Sequence, residues 1–317
     1  MHAQVKAAPM LTDAQRDALE RAIGQVNGLV LGKRAEIELA FACLLAGGHL
    51  LIEDLPGLGK TTLARSLAVS LGLGFQRMQF TADLLPSDIL GVSIYEQESH
   101  AFRFHPGPIF TQLLLADEIN RAPPRTQSAL LEAMAEQQVT IDGVCHVLPS
   151  PFFVIATQNP VDLAGTFPLP DSQLDRFLLR IALGYPDADA ERSMLSGEDR
   201  QQMIAACTAL LDAEGVIALR SAARGIHTSA ALVEYVQALL AESRRHPGVH
   251  VGLSPRAGLA LLHAARAVAL LRDAAFVVPE HVQAVFVEVT AHRLVPAADG
   301  GDRVQLARSI LHAVAVD

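Results

Sequence analysis

Lys60 stands directly after Gly57-Leu58-Gly59 and directly before Thr61 and Thr62, in a segment that opens with Asp54-Leu55-Pro56. Each residue type suits a polyphosphate. Glycines let backbone N–H groups close on phosphate oxygens, an ammonium supplies a point charge at the β and γ positions, and a hydroxyl in the first helical turn can ligate magnesium. The candidate phosphate loop is therefore Asp54, Pro56, Gly57, Leu58, Gly59, Lys60, Thr61 and Thr62. In the general pattern G-x-x-x-x-G-K-[ST] the first position is glycine, and this chain has Asp54 there.

A second constellation lies at Leu113-Leu114-Leu115-Ala116-Asp117-Glu118, an apolar run that ends in two acids. Such a pair can divide its labour. Asp117 would hold magnesium together with Thr61, and Glu118 would polarise the attacking water as general base. Two acids can also simply cap the next helix, a reading that loses force beside a phosphate loop.

These groups need a scaffold that brings distant segments to one edge. Leu50 to Ile52 is short, apolar and followed by Pro and Gly, as a buried parallel strand should be, and a helix is expected from about Lys60. Further strand candidates are Phe75 to Phe80, Leu113 to Ala116, Phe152 to Thr157 and Phe177 to Ile181, giving an α/β core with five strands. Ahead of them, Thr12 and Gln15 form a capping-box pattern for a helix to about Val26, and a second helix fills Arg34 to Leu45. Two hairpins look inserted. Val139 to Ile141 and Val144 to Val147 flank Asp142-Gly143, a pair suited to positive φ at both turn positions, and Val92 to Tyr95 pairs with Phe102 to Phe104.

Past about Pro186 the pattern turns helical, over Ala188 to Leu195, Arg200 to Leu211, Ser229 to Arg245, Arg256 to Leu271 and Glu280 to Arg293. Residues 1–185 are thus expected to form a nucleotide-binding core and residues 186–317 an all-α lid.

Composition narrows the partners. The chain has 317 residues, and 25 basic against 34 acidic residues give a net charge of −9 without a basic stripe, which disfavours nucleic acid. Three scattered cysteines argue against a disulfide framework or a zinc site, and the twelve histidines show no metal spacing. No apolar stretch reaches the roughly 20 residues of a membrane helix, and the N-terminus lacks a signal-peptide profile, so a cytoplasmic location is expected.

Together, Leu51 to Thr62 and Ala116-Asp-Glu-Ile-Asn-Arg-Ala-Pro-Pro-Arg-Thr-Gln127 resemble signatures of the MoxR family of AAA+ ATPases, where an acid commonly precedes the Pro-Gly. Asp54 is then family-like. The resemblance runs from about Gly32 to Leu262 and implies a P-loop αβα core with strand order 5-1-4-3-2. It implies a sensor role for Asn159 in Ile155-Ala-Thr-Gln-Asn-Pro, orienting water beside Glu118, and an arginine finger at Arg176 reaching a nucleotide on a neighbouring subunit. Leu253-Ser-Pro-Arg256 resembles a second sensor. Here helix physics agrees, because a cation is disfavoured at a helix N-terminus unless a phosphate compensates it. Arg121 and Arg125 suit a subunit interface or a plain helix start equally. The hairpins match a helix-2 insert and a pre-sensor insert.

The resemblance implies ATP and Mg2+ as ligands, a homo-oligomeric ring, most simply a hexamer, and chaperone-like remodelling of client complexes with von Willebrand factor A-domain partners. The alternatives are an ATP-gated binding switch with little turnover and a nucleic-acid translocase akin to the MCM group.

Overall fold

The computed structural model describes residues 11–98, 100–161, 165–197, 199–298 and 301–316. The first ten residues, on which part of the signal-peptide reading rests, lie outside the described residues. In chain order the strands are β1 (Leu50–Glu53), β2 (Phe75–Gln79), β3 (Gly91–Glu96), β4 (Ala101–Pro106), β5 (Leu113–Asp117), β6 (Gln138–Ile141), β7 (Val144–Val147), β8 (Phe153–Gln158), β9 (Leu179–Ile181), β10 (Val249–Val251) and β11 (Val295–Pro296). The helices are α1 (Asp13–Leu29), α2 (Arg34–Leu45), α3 (Lys60–Ser70), α4 (Pro86–Leu90), α5 (Pro124–Glu136), α6 (Asp171–Leu174), α7 (Ala188–Ser196), α8 (Arg200–Ala206), α9 (Ala213–Gly225), α10 (Ala230–Arg245), α11 (Pro255–Leu271), α12 (Pro279–Thr290) and α13 (Arg303–Ala313).

Five strands form one parallel sheet in the order β2-β5-β8-β1-β9, which, numbered along the core strands alone, is the expected 5-1-4-3-2. The sheet sorts its side chains by parity, because successive residues of a strand face opposite ways. Leu50, Ile52, Leu113, Leu115, Phe153 and Ile155 enter one apolar cluster with α1, α2 and α3, while Leu51, Leu114, Ala116, Val154 and Ala156 enter a second with α5. That is why these strands read as unbroken apolar runs. Both faces are covered.

The first cluster continues into the C-terminal helices, so that Ile37 and Phe41 share it with Leu219, Leu261 and Phe286. The Thr12 capping box forms as expected, and α1 runs three residues past Val26. Asp142 and Gly143 adopt φ 51° and 78°, turning β6 into β7. In the C-terminal part, the helix expected over Arg200 to Leu211 stops at Ala206. The amide of Leu210 donates to Ser70 O (3.0 Å), and Asp212 caps α9 by accepting from Gly215 N (2.7 Å). Helices α9 and α13 and the short antiparallel pair β10–β11 add to the sequence expectation.

His49, buried at the head of β1, bridges two elements. Its Nδ1 accepts from Val154 N (3.0 Å), which leaves Nε2–H to donate to Met134 O (3.2 Å). Burial pushes its pKa down from the ordinary 6.5 to about 4. The unfolded chain therefore takes up this proton first as pH falls, so the stability His49 contributes is complete above about pH 6.5 and drains away toward pH 4. From pH 7 to pH 5 the loss is about 2 kcal/mol. Denaturant titrations at the two pH values, compared with His49→Gln, check this; equal pH slopes for the two proteins would refute it.

Candidate active site

In a parallel sheet the loops after adjacent strands gather on one edge. Here that edge receives the segments after β1, β5 and β8. Gly57 and Gly59 hold φ 84° and 90°, a region other residues enter only with strain, and open space surrounds both Cα atoms. They turn the chain into α3, whose N-cap is Gly59. Lys60 Nζ folds back to donate to Asp54 O (2.6 Å) and Leu55 O (2.8 Å). Burial lowers its pKa, opposed by the negative charges of Asp54, Asp117 and Glu118. Those acids share its electrostatic environment although Asp117 and Glu118 lie more than fifty residues away in sequence.

Asp54 has a tethering geometry. Its carboxylate accepts from its neighbour Leu55 N (2.8 Å) and from Gly184 N (2.6 Å), joining the loop to the turn after β9. Pro56 and Gly57 are exposed, while Leu58, Gly59, Thr61 and Thr62 are half-buried.

Around Asp117 the structure assembles groups that the sequence reading did not single out. Thr157 Oγ1, from β8, donates to Asp117 Oδ1 (2.6 Å) and accepts from Glu118 N (2.9 Å), so one hydroxyl aligns both acids. Arg77 on β2 donates to Asp117 Oδ2 through Nη2 (2.7 Å) and Nε (3.2 Å). Gln79, also on β2, donates to Glu118 Oε2 (2.6 Å), and Arg121, which the sequence did offer as an interface or helix-start residue, pairs with Glu118 (2.9 Å). Glu118 itself sits at φ 57°, ψ 49°, a left-handed conformation rare for a side-chain-bearing residue and frequent at functional sites. One signal for these partners was available: Thr157 is the lone hydroxyl in an apolar strand. Arg77 and Gln79 carried none, because their partners follow from the register that sets Gln79 opposite Asp117.

Other expected residues stand apart from this cluster. Asn159 Oδ1 accepts from Val161 N (3.2 Å), a local turn contact just past the end of β8. Arg176 is half-buried and donates to Leu131 O on α5 (3.1 Å). Arg256, in the first turn of α11, has a side chain 69% exposed and lies 3.7 Å from Asp175 Oδ2. The two hairpins are joined by a stack of Phe104 on His146, with ring centroids 4.0 Å apart, and they expose Tyr95 and Phe102. Among the described residues, no group of three or more His, Cys, Asp or Glu side chains could hold a metal, and no helix is long and apolar enough to cross a membrane. The oxygen donors of Thr61 and Asp117 instead suit a hard cation that keeps most of its waters and takes phosphate oxygens.

A parallel sheet in this order, with a glycine-built loop between β1 and α3 and paired carboxylates at the C-terminal end of β5, defines a P-loop protein of the AAA+ class. Residues 49–179 match the ATPase family associated with various cellular activities, and residues 241–310 match the AAA lid domain. The chain is 44% identical to the uncharacterized protein YeaC of Bacillus subtilis over 94% of each chain. It is 40% identical to Chaperone MoxR1 of Mycobacterium tuberculosis, over 90% of this chain and 78% of that protein, and 35% identical to Protein MoxR of Paracoccus denitrificans, over 85% and 86%. A crystal structure assigned to an ATPase of Cytophaga hutchinsonii superposes with a TM-score of 0.86 at 34% identity, covering 96% of each chain. The chain belongs to the MoxR family of AAA+ ATPases.

Proposed function

We propose that this chain hydrolyses ATP in the presence of Mg2+ at the interfaces of a homo-oligomeric ring, most simply a hexamer, and uses the cycle for chaperone-like remodelling of client protein complexes. The convergence of Lys60, Asp117 and Glu118 carries this reading, because a phosphate-binding cation and two acids meet at one sheet edge. Residues 1–185 act as the nucleotide-binding core and 186–317 as the lid. The loop amides and Lys60 bind phosphate, with Asp54, Pro56, Leu58 and Thr62 shaping the loop. Thr61 and Asp117 would hold magnesium, which would supply positive charge against the negative charge of the phosphates. Glu118 takes the proton of the attacking water, its backbone fixed by Thr157, and Asn159 orients that water.

Arg176 acts on the nucleotide of a neighbouring subunit, and Arg256 contacts phosphate. The chaperone role is carried over from the name of the mycobacterial relative, which shares most of this chain. A von Willebrand factor A-domain protein is the proposed partner from the family resemblance, and the cytoplasm the proposed location.

If Arg176 completes a site on another subunit, activity depends on assembly. Phosphate release per chain should rise steeply as chain concentration increases through the range where rings form, read against the oligomeric state by light scattering. A rate per chain that stays constant from monomer to ring rejects the interfacial site.

A further inference from the structure

The turn that carries Arg176 is gripped by the lid. Arg293, in the short turn after α12, has a side chain only 6% exposed. Its Nε donates to Asp175 Oδ1 (2.7 Å), its Nη2 to Asp175 O (3.2 Å) and Phe177 O (2.7 Å), and its Nη1 to Leu178 O (3.1 Å) and Val289 O. These five contacts use all five donors of a guanidinium, and four of the five acceptors belong to residues 175–178.

Neighbouring groups repeat the pattern. His292, buried and held well below its ordinary pKa mainly by burial, is neutral and donates Nε2–H to Phe177 O (3.0 Å). Arg303 reaches Asp171 Oδ1 at the start of α6 (3.0 Å) and His292 O (3.2 Å). From a different lid helix, Arg256 approaches the second oxygen of Asp175 (3.7 Å). One carboxylate thus faces two lid arginines, and it belongs to the residue next to Arg176.

We propose that Asp175 is a positioning residue: by holding Arg293 and Arg256, it makes the lid and the Arg176 turn a single body, so that lid movement in one subunit sets the reach of Arg176 toward the next. The inference rests on reading Arg176 as acting between subunits. Three features carry it. A buried guanidinium needs a counter-charge, and Asp175 provides it within 2.7 Å. The turn is short and closed by Arg176 N to Gln173 O (3.1 Å) and Phe177 N to Leu174 O (3.0 Å), so Asp175 and Arg176 are held in one hydrogen-bonded turn. Arg176 also has to be placed finely, since displacing a catalytic group by about 1 Å can lower a rate by roughly 10²-fold.

Complementation in mixed rings tests both layers. Arg176→Ala chains keep their own ATP site but present no finger; Glu118→Gln chains turn over slowly but present an intact one. Mixing the two should restore phosphate release. Glu118→Gln/Asp175→Asn chains, assembled equally well, should restore at least about tenfold less, with the loss in kcat and with the KM for ATP of the mixed rings unchanged, because the sites that turn over belong to the Arg176→Ala chains. No restoration in the first mixture overturns the intersubunit role of Arg176, and the inference with it. Equal restoration in both mixtures overturns the role of Asp175 alone.

Should Asp175→Asn prevent assembly, native Asp175 can be probed directly. Spin labels at Ser172→Cys on α6 and Leu259→Cys on α11, with Cys145 and Cys207 replaced by Ser and one labelled chain per ring, should give the same distance with ATP and with ADP. A nucleotide-dependent change in that distance overturns the single body.

Discussion

Glu118→Gln should lower steady-state phosphate release by roughly 10²–10⁴-fold while leaving ATP bound, the range that removal of a positioned general base produces. The substitution is nearly isosteric and removes the negative charge, and with it the capacity to accept a proton. The backbone link from residue 118 N–H to Thr157 Oγ1 does not depend on the side chain, so Asp117 keeps its alignment. The amide oxygen of the new Gln can still accept from Gln79. What disappears is the pairing with Arg121, which is about two-fifths exposed, so the stability change stays within about 1 kcal/mol. Phosphate release and binding of a fluorescent ATP analogue, measured on the same preparations, separate chemistry from affinity. An unchanged rate would remove Glu118 from the chemistry. A wild-type rate already as low as that of the variant would favour a nucleotide-gated switch over a motor.

The difference between what the sequence announced and what it concealed follows from the range of each signal. Strands β1, β5 and β8 are apolar on both faces because both are covered, and that leaves an unbroken run any reader can see. The Asp142-Gly143 turn and the Thr12 cap are encoded within four residues. Partners set by sheet order have no such local trace. Arg77 meets Asp117 and Gln79 meets Glu118 only because β2 lies beside β5, about forty residues away along the chain. Asp175 is the sharpest case. Nothing local marks its partners, yet the carboxylate is turned to Arg256 and Arg293, more than eighty and more than a hundred residues on, while Arg176 lies against α5.

Among the C-terminal helices, α9 was hidden by the apolar pair Leu210-Leu211, which reads as the end of a helix. Both residues instead pack against the core, and Asp212 starts a new helix. Asp54 shows the same limit at the site itself: its place in the turn between β1 and α3 was legible, and its bond to Gly184 was not.

The second large effect concerns Arg176. Arg176→Ala should cost assembled rings roughly 10³–10⁵ in kcat, the range associated with an arginine supplied to a transferring phosphoryl group. Its defining feature is where the loss occurs. Diluted below the assembly range, where no neighbour is served, wild type and variant should share the same slow rate, and the two curves should part as rings form. The affinity for nucleotide should hold, because Arg176 makes none of the contacts around Lys60 and Asp117. Within its own subunit the substitution frees the Leu131 carbonyl from one charged hydrogen bond, a change of about 1–3 kcal/mol that a thermal melt can report separately. An equal loss in dilute monomer and in ring would make Arg176 a group of its own subunit's site. No loss in the ring would leave it a clasp between the turn after α6 and helix α5, and the completing charge would have to come from another arginine at the interface.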